Sequence, residues 1–343
     1  MNFWRYFGGS TIFSVVALAG AFALGLTTGG SWEAGGEALV TALILGVLET
    51  SLSFDNAVVN ARILKSMNPF WRRFFLTVGV LIAVFGMRLV FPLLIVGVVS
   101  SLPWGDVLVM AWQKPHEFAQ ILVNQHVLID GFGGAFLLLV FTRFFFDQEK
   151  TLHWLAPLEK LFGLAGRLEG VTVAITLVVI LLTLGQVEVA HQLGFVVSAL
   201  AGVVVYVVVE GIGSALQGGE RKLLMAGWAS FVYLEVLDAS FSFDGVIGAF
   251  AITNSLFLMA LGLGIGAFFV RSLTIQMVDA GTLTSFRYLE HGAFWAIGAL
   301  ALILFLGAAG VEVPEIVSGT LGFALIALSF VSSLVVNRRQ KAS

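Results

Sequence analysis

Glu49-Thr-Ser-Leu-Ser-Phe-Asp55-Asn56 has a counterpart later in the chain, Asp238-Ala-Ser-Phe-Ser-Phe-Asp244-Gly245. Each stretch places two acids around a Ser-Phe pair inside a long apolar run. Ionisable side chains at membrane depth are costly, and their default interpretation is functional. Because the same arrangement occurs twice, we interpret the two stretches as two halves of one cation site.

The composition predicts an all-α polytopic membrane protein. Of 343 residues, 59% are hydrophobic and only 11% are charged, whereas soluble domains carry about 25% charged residues. Mean hydropathy is +0.99, and apolar runs of about 20 residues recur throughout. The net charge of -3 gives no electrostatic case for nucleic-acid binding. The absence of cysteine excludes disulfides and thiolate metal sites.

Ten apolar spans are predicted, and the basic residues orient them. The spans are 10–27, 36–59, 75–101, 127–146, 170–187, 190–211, 223–251, 255–278, 289–309 and 315–336. With both termini cytoplasmic, fifteen of the eighteen Lys and Arg residues fall on the inner side, as the positive-inside rule requires. The long connectors 102–126 and 147–169 are interpreted as outer and inner amphipathic segments, with ordinary loops carrying aromatic anchors as the alternative.

Further matches extend the two stretches into a repeat. A mid-span arginine follows each, Arg88 in the first and Arg271 in the second. The next span then opens near an acid and a glycine, Asp130 in the first half and Glu290 in the second. Repeat one covers about 36–146 and repeat two about 223–309. An odd number of crossings separates them, which predicts an inverted-topology repeat, an architecture typical of secondary transporters.

The spacing of the acids predicts a helix break at each motif. Six residues of a straight helix turn through about 600°, so Glu49 and Asp55 would point apart on an ideal helix. The pairs Asp-Asn and Asp-Gly tolerate unusual backbone conformations. We therefore expect a discontinuous helix near Ser53 and Asp55, and another at the second motif, freeing carbonyl groups for a cation.

The residue types favour a hard divalent cation bound as substrate, with no prosthetic group. Candidate ligands are the carboxylates and the neutral oxygen donors Glu49, Asp55, Glu235, Asp238, Asp244, Ser53, Asn56 and Ser242. Oxygen-only sites suit Mg²⁺, Ca²⁺ or Mn²⁺. Arg88 and Arg271 are expected to pair with these acids and to compete with the metal. Asp130 and Glu290 are ion-pair or coupling candidates, equally well explained as helix-packing ion pairs.

At these residues the chain resembles the TerC family of integral membrane proteins, grouped with the LysE-type exporters. The likeness rests on Glu49 through Asn56, on Asp238 through Gly245, and on Tyr288-Leu-Glu-His-Gly292. It implies manganese efflux and a bacterial inner-membrane location. It matches Asp55 and Asp244 to the family's intramembrane aspartates and Glu49 to the preceding acid. The choice between Mn²⁺ and Ca²⁺, and between Glu235 and Asp238, stays open.

Three functions are consistent with the sequence. The first is a divalent-cation exporter, Mn²⁺ first, exchanging for protons, with the metal ion and the lipid bilayer as partners. The second is an exporter of Ca²⁺ or of a small organic cation such as an amino acid. The third is a non-transporting membrane assembly factor in which the acids join helices. A hydrolase is disfavoured because no Cys, HExxH or GxSxG occurs, and we expect no enzyme. The oligomeric state is not predicted.

Overall fold

The structure is a computed structural model that describes the backbone of residues 3–215, 220–311 and 313–342. Side chains are described for the same residues except 213–215, 220–226, 243, 244, 315, 316, 341 and 342. The described part of the chain is helical and contains no strand. This confirms the predicted all-α class.

The helices follow one another through short connections. In chain order they are α1 Phe3–Gly29, α2 Trp32–Leu52, α3 Phe54–Ser66, α4 Pro69–Phe74, the π-helical segments π1 Phe75–Gly79 and π2 Ile82–Val90, α5 Phe91–Ser100, α6 Trp104–Gln113, α7 Pro115–Val123, α8 His126–Phe145, α9 Ala156–Ala165, α10 Val171–Leu184, α11 Gln192–Ala215, α12 Glu220–Ala249, α13 Leu256–Asp279, α14 Thr282–Ser285, α15 Leu289–Ala308 and α16 Glu315–Ala342.

Among the described residues, eight helices are long and apolar enough to cross a membrane. The two other predicted spans are also helical. Span 170–187 corresponds to α10, which is apolar but has only 14 residues. Span 223–251 corresponds to the 30-residue α12, which ends at Ala249 and whose acids lower its hydropathy. The chain is therefore a polytopic membrane protein, and the predicted count of ten spans stays a prediction.

Two compact units make up the chain. Unit 1 comprises Met1–Ala57, Pro69–His126 and Phe241–Gln276, and unit 2 comprises Val58–Asn68, Val127–Ser240 and Met277–Ser343. In unit 1, small residues let α1, α2 and α13 pack closely around Ala21, Ala38, Ala42 and Leu258, as in other membrane helix pairs. In unit 2, α8 carries a continuous buried run over residues 133–140.

The predicted helix break is present at the first motif and absent at the second. Helix α2 ends at Leu52 and α3 begins at Phe54, with Ser53 alone between them at φ -91° and ψ 23°. The prediction for the second motif is wrong, because α12 continues unbroken from Glu220 to Ala249. A glycine such as Gly245 inside a helix costs only about 1 kcal/mol relative to alanine. A break in lipid costs more, since it leaves backbone groups unpaired.

Both long connectors contain short helices. Helices α6 and α7 lie within 102–126, and α9 lies within 147–169. The outer connector is thus mostly helical, whereas residues 147–155 of the inner connector form an irregular segment before α9. Helix α9 starts at Ala156 with a proline in its first turn, where the missing N–H group costs nothing.

Candidate cation site and polar cleft

In unit 1, the first acid of the first motif is held by the arginine of the following span. Arg88 Nη2 donates to Glu49 Oε1, and both side chains are almost completely buried. Ser53, the residue at the helix break, donates its hydroxyl to the same carboxylate oxygen over 3.2 Å. Arg88 Nη1 also donates to the carbonyl oxygen of Ala83. The predicted pairing of Arg88 with a motif acid is present.

The close approach of α13 fixes the position of Glu49. A Cβ atom on Gly266 would overlap the Cβ and Cγ atoms of Glu49 and would lie 2.9 Å from the backbone nitrogen of Thr50. Only a residue without a side chain fits at this contact. The small size of Gly266 therefore lets the Glu49 carboxylate reach Arg88.

Beyond the break, Asp55 and Asn56 provide further buried oxygen atoms. Asp55 Oδ1 accepts a hydrogen bond from the backbone N–H of Asn56 over 2.9 Å. Asn56 Oδ1 is buried and has no hydrogen-bond partner among the residues described. A buried amide oxygen without a partner is unfavourable, and a bound cation would satisfy it. Ser242 is buried as well.

Asp244 and Arg271 are predicted site residues of the second repeat. Asp244 lies on α12, and its side chain is outside the described residues. Arg271, the mid-span arginine of the second repeat, has a buried Nε without a hydrogen-bond partner within the described part of the chain. Its predicted pairing with an acid stays a prediction.

In unit 2, Asp238 and Glu235 lie in different surroundings. Asn60 donates its side-chain N–H to Asp238 Oδ1 over 2.9 Å. Both carboxylate oxygens of Glu235 are buried without a hydrogen-bond partner in the described residues. The sequence analysis missed Asn60, although it lies four residues after Asn56 and so on the same face of α3.

The two other ion-pair candidates also lie in unit 2. Glu290 pairs with Arg62 over 3.3 Å, so its expected ion pair is present with a partner that was not predicted. Asp130 is buried in a close helix contact, since a Cβ on Gly307 of α15 would lie 2.8 Å from Asp130 Oδ2.

A polar cleft of about 750 Å³ opens in unit 2. Its basic lining residues are Arg62, Arg143, Lys150 and Arg287. Its acidic lining residues are Asp147, Glu149 and Glu290. The guanidinium of Arg62 lies 4.5 Å from the ring centre of Phe144 and 4.9 Å from that of Phe294, within cation–π range. The cleft thus combines charges of both signs with aromatic walls.

A buried carboxylate, Glu159 of α9, holds one wall of this cleft in place. It accepts hydrogen bonds from the backbone N–H groups of Trp154 and Leu155 and from Lys150 Nζ. Its Oε2 atom also lies 3.5 Å from a ring nitrogen of His291. Burial acts to raise the pKa of Glu159, but the Leu155 hydrogen bond and the attraction of His291 and Lys150 outweigh it, so this pKa lies below its ordinary value. Burial lowers the pKa of Lys150.

His291, part of the third motif of the sequence, has a structural environment. Its Nε2 atom lies 2.9 Å from the carbonyl oxygen of Leu152, and its ring packs edge-on against Phe144. These contacts connect the start of α15 to the segment before α9. Across the described residues, no group of three or more His, Asp or Glu side chains is arranged to hold a metal ion.

Comparison with known proteins gives a family. Residues 54–340 match the family described as "Protein of unknown function (DUF475)". The chain belongs to this family. The match includes Asp55, Asp238 and Asp244 but begins after Glu49.

A relative points in the same direction. "Uncharacterized membrane protein YceF" of Bacillus subtilis (strain 168) is 28% identical over 110 residues, which are 32% of this chain and 40% of that protein. The chain thus spans less than half the length of this relative. No solved structure matches it. The comparisons support a membrane protein of unknown function and do not support the TerC or LysE-type assignment.

Proposed function

We propose that this protein is a secondary transporter that exports divalent cations, Mn²⁺ first, in exchange for protons. The observation that carries the proposal is a pair of buried carboxylates, Glu49 and Asp55, on either side of a helix break in a membrane-spanning chain. Broken helices with acids at membrane depth are how other transporters build ion sites. Asp244 is a further candidate ligand, and Glu235 and Asp238 stay candidates on the sequence alone.

The ligand chemistry supports a hard cation. Ser53, Asp55 and Asn56 supply hydroxyl, carboxylate and amide oxygens within four consecutive residues. The buried Asn56 Oδ1 has no hydrogen-bond partner in the described part of the chain. Carboxylate, carbonyl and hydroxyl oxygens suit Mn²⁺, Mg²⁺ and Ca²⁺ rather than Zn²⁺ or Cu²⁺. The resemblance to TerC proteins adds the preference for Mn²⁺.

Proton exchange follows from the same carboxylates. A carboxylate binds a metal ion only in its ionised form, so metal binding releases any proton that it held. Without a cation, a buried carboxylic acid is most stable in its neutral, protonated form, because an isolated buried charge is very unfavourable. A site that alternates between metal and proton would therefore couple the two flows in opposite directions.

The proposal is tested with purified protein in liposomes. An outward- or inward-directed pH gradient should drive Mn²⁺ movement by the wild type, and Asp55→Asn and Asp244→Asn should abolish it. Glu117→Gln, which changes an exposed acid of a surface ion pair, is the control and should transport normally. If the Asp55→Asn protein is folded but does not move Mn²⁺, the result supports the transport proposal. An assembly factor predicts instead that the same substitution prevents folding while wild-type liposomes move no cation.

One observation favours the second candidate function, export of a small organic cation. The unit 2 cleft has about 750 Å³ and charges of both signs, which fits a small molecule better than a bare ion. The same liposomes, loaded with Ca²⁺ or with radiolabelled lysine in place of Mn²⁺, distinguish the cargoes. Lysine efflux that is lost in Arg62→Met and Glu290→Gln would select this second function.

A further inference from the structure

Arg88 forms a buried ion pair with the Glu49 carboxylate. Arg88 is buried, and its charge is fixed because a guanidinium is not deprotonated in proteins. Its Nη2 atom donates to Glu49, which is one of the carboxylates assigned to the cation. A divalent cation and Arg88 therefore compete for the same oxygen atom.

Arg88 is incompletely satisfied in this position. A guanidinium has five N–H donors, and Arg88 donates to Glu49 and to the carbonyl of Ala83. Its Nε atom is buried without a hydrogen-bond partner among the described residues. A buried donor without a partner is unfavourable. An arginine that served only to lock the helices would gain from pairing all of its donors.

The backbone that carries Arg88 is also unusual. Arg88 lies in π2, a nine-residue π-helical segment, which follows the five-residue π1 in the same transmembrane helix. π-helices are rare, mostly span a single turn, and are frequent at functional sites. Their i→i+5 hydrogen bonds can be exchanged for the i→i+4 bonds of an α-helix. Such an exchange would rotate the residues of π2 and so change the direction of the Arg88 side chain.

The partner of Arg88 is held at a second unusual point of the backbone. Glu49 lies four residues before the break at Ser53 and accepts the Ser53 hydroxyl hydrogen bond on the same oxygen as Arg88. Its Cβ and Cγ atoms are confined by Gly266. Glu49 is thus fixed at the edge of the break. Of the two partners, Arg88 is the one carried by a segment, π2, that can adopt another hydrogen-bond pattern.

We infer that Arg88 is the resident counter-cation of Glu49, and that a change of π2 to α-helical hydrogen bonding removes Arg88 when a divalent cation binds. This inference rests on the proposed function: Arg88 neutralises Glu49 on the return step, and Asp55 is the carboxylate that exchanges the metal for a proton. With Arg88 on Glu49, the site can reorient without metal and without an uncompensated buried charge.

The test measures Mn²⁺ binding to purified protein by equilibrium dialysis. Removing a competing cation should strengthen binding, so Arg88→Met should lower the Kd for Mn²⁺ by about 5-fold or more, within the usual range of coupling between ligands. Lys114→Met removes an exposed basic residue of a surface ion pair and should leave the Kd unchanged. Liposome transport by Arg88→Met should slow although binding tightens, because the empty site loses its counter-charge.

A second measurement keeps the inference testable if Arg88→Met does not fold. Amide hydrogen exchange of residues 82–90 in the wild type should change when Mn²⁺ is added, since π2 exchanges its hydrogen bonds. Arg88→Lys, which keeps the charge but loses the planar fork, should lower the Kd by a smaller factor than Arg88→Met.

The outcomes separate the two proposals. A wild type that binds Mn²⁺ while folded Arg88→Met or Arg88→Lys binds it equally well or more weakly would overturn the role of Arg88 and leave the transport proposal standing. Unchanged exchange over residues 82–90 on Mn²⁺ addition would overturn the change in π2. A wild type that binds no Mn²⁺ would overturn both the transport of this ion and the inference that depends on it.

Discussion

Removing the buried Glu159 carboxylate should destabilise the protein far more than removing an exposed carboxylate that also pairs with a lysine. The chain offers a matched comparison. Glu159 pairs with Lys150 over 3.1 Å, and their side chains are 0% and 9% exposed. Glu117 pairs with Lys114 over 3.0 Å, and their side chains are 56% and 61% exposed. The distance and the charge pair are alike, so the differences are burial and the two backbone hydrogen bonds that Glu159 accepts.

The expected magnitudes follow from these differences. Breaking a buried ion pair by removing one partner costs about 3–5 kcal/mol, because the remaining charge is left uncompensated. An exposed pair contributes about 0.2–1 kcal/mol. Glu159→Gln also weakens the acceptor for the N–H groups of Trp154 and Leu155. The decrease in melting temperature caused by Glu159→Gln should therefore be at least about three times that caused by Glu117→Gln.

The assay is thermal unfolding in detergent, repeated at several pH values. The pKa of Glu159 is depressed in the folded protein, so its stabilising contribution is complete above the unfolded value of about 4.3. It is lost as the pH falls through the lower, folded pKa. Glu159→Gln should remove this acid-dependent loss of stability. Equal decreases in melting temperature for Glu159→Gln and Glu117→Gln at neutral pH would refute the reasoning.

Two further substitutions test the candidate site. Gly266→Ala should displace Glu49, since the added methyl group has no room. It should therefore lower both the melting temperature and the Mn²⁺ affinity measured by dialysis. Gly105→Ala, where a Cβ meets nothing within 4 Å, is the control in both assays. Asn60→Ala removes the hydrogen bond to Asp238. If Asp238 is a ligand, this substitution should weaken Mn²⁺ binding measured by dialysis. An unchanged Kd would assign the Asp238 carboxylate a packing role.

Much of the architecture could be predicted because it depends on local composition. Long apolar runs identify membrane helices, and all ten predicted spans are helical. The pairing of Glu49 with Arg88 could also be anticipated, because a buried charge requires an opposite charge. The cost of burying a charge predicts this ion pair even though 39 residues separate the two partners.

The contacts that could not be predicted depend on the packing of distant helices. Asn60 and Asp238 are 178 residues apart, and no local pattern connects them. Glu159 lies in a connector that resembles an amphipathic surface helix, and its burial depends on the donors that fold back around it. The π-helical hydrogen bonding around Arg88 was equally hidden, because a uniformly apolar stretch shows no periodicity from which one helix type can be distinguished from another.

The two motifs show why a repeated sequence need not give a repeated backbone. Ser-Phe-Asp occurs in both, yet the helix is interrupted at Ser53 and continuous through Ser242. At the interruption, the Ser53 N–H still donates to the carbonyl of Glu49 over 3.0 Å, so the break leaves this donor satisfied. The Ser53 hydroxyl in turn binds the Glu49 carboxylate, whereas the corresponding acid, Asp238, accepts its hydrogen bond from Asn60. The partner of the first acid differs between the motifs, and that tertiary difference accompanies the difference in backbone.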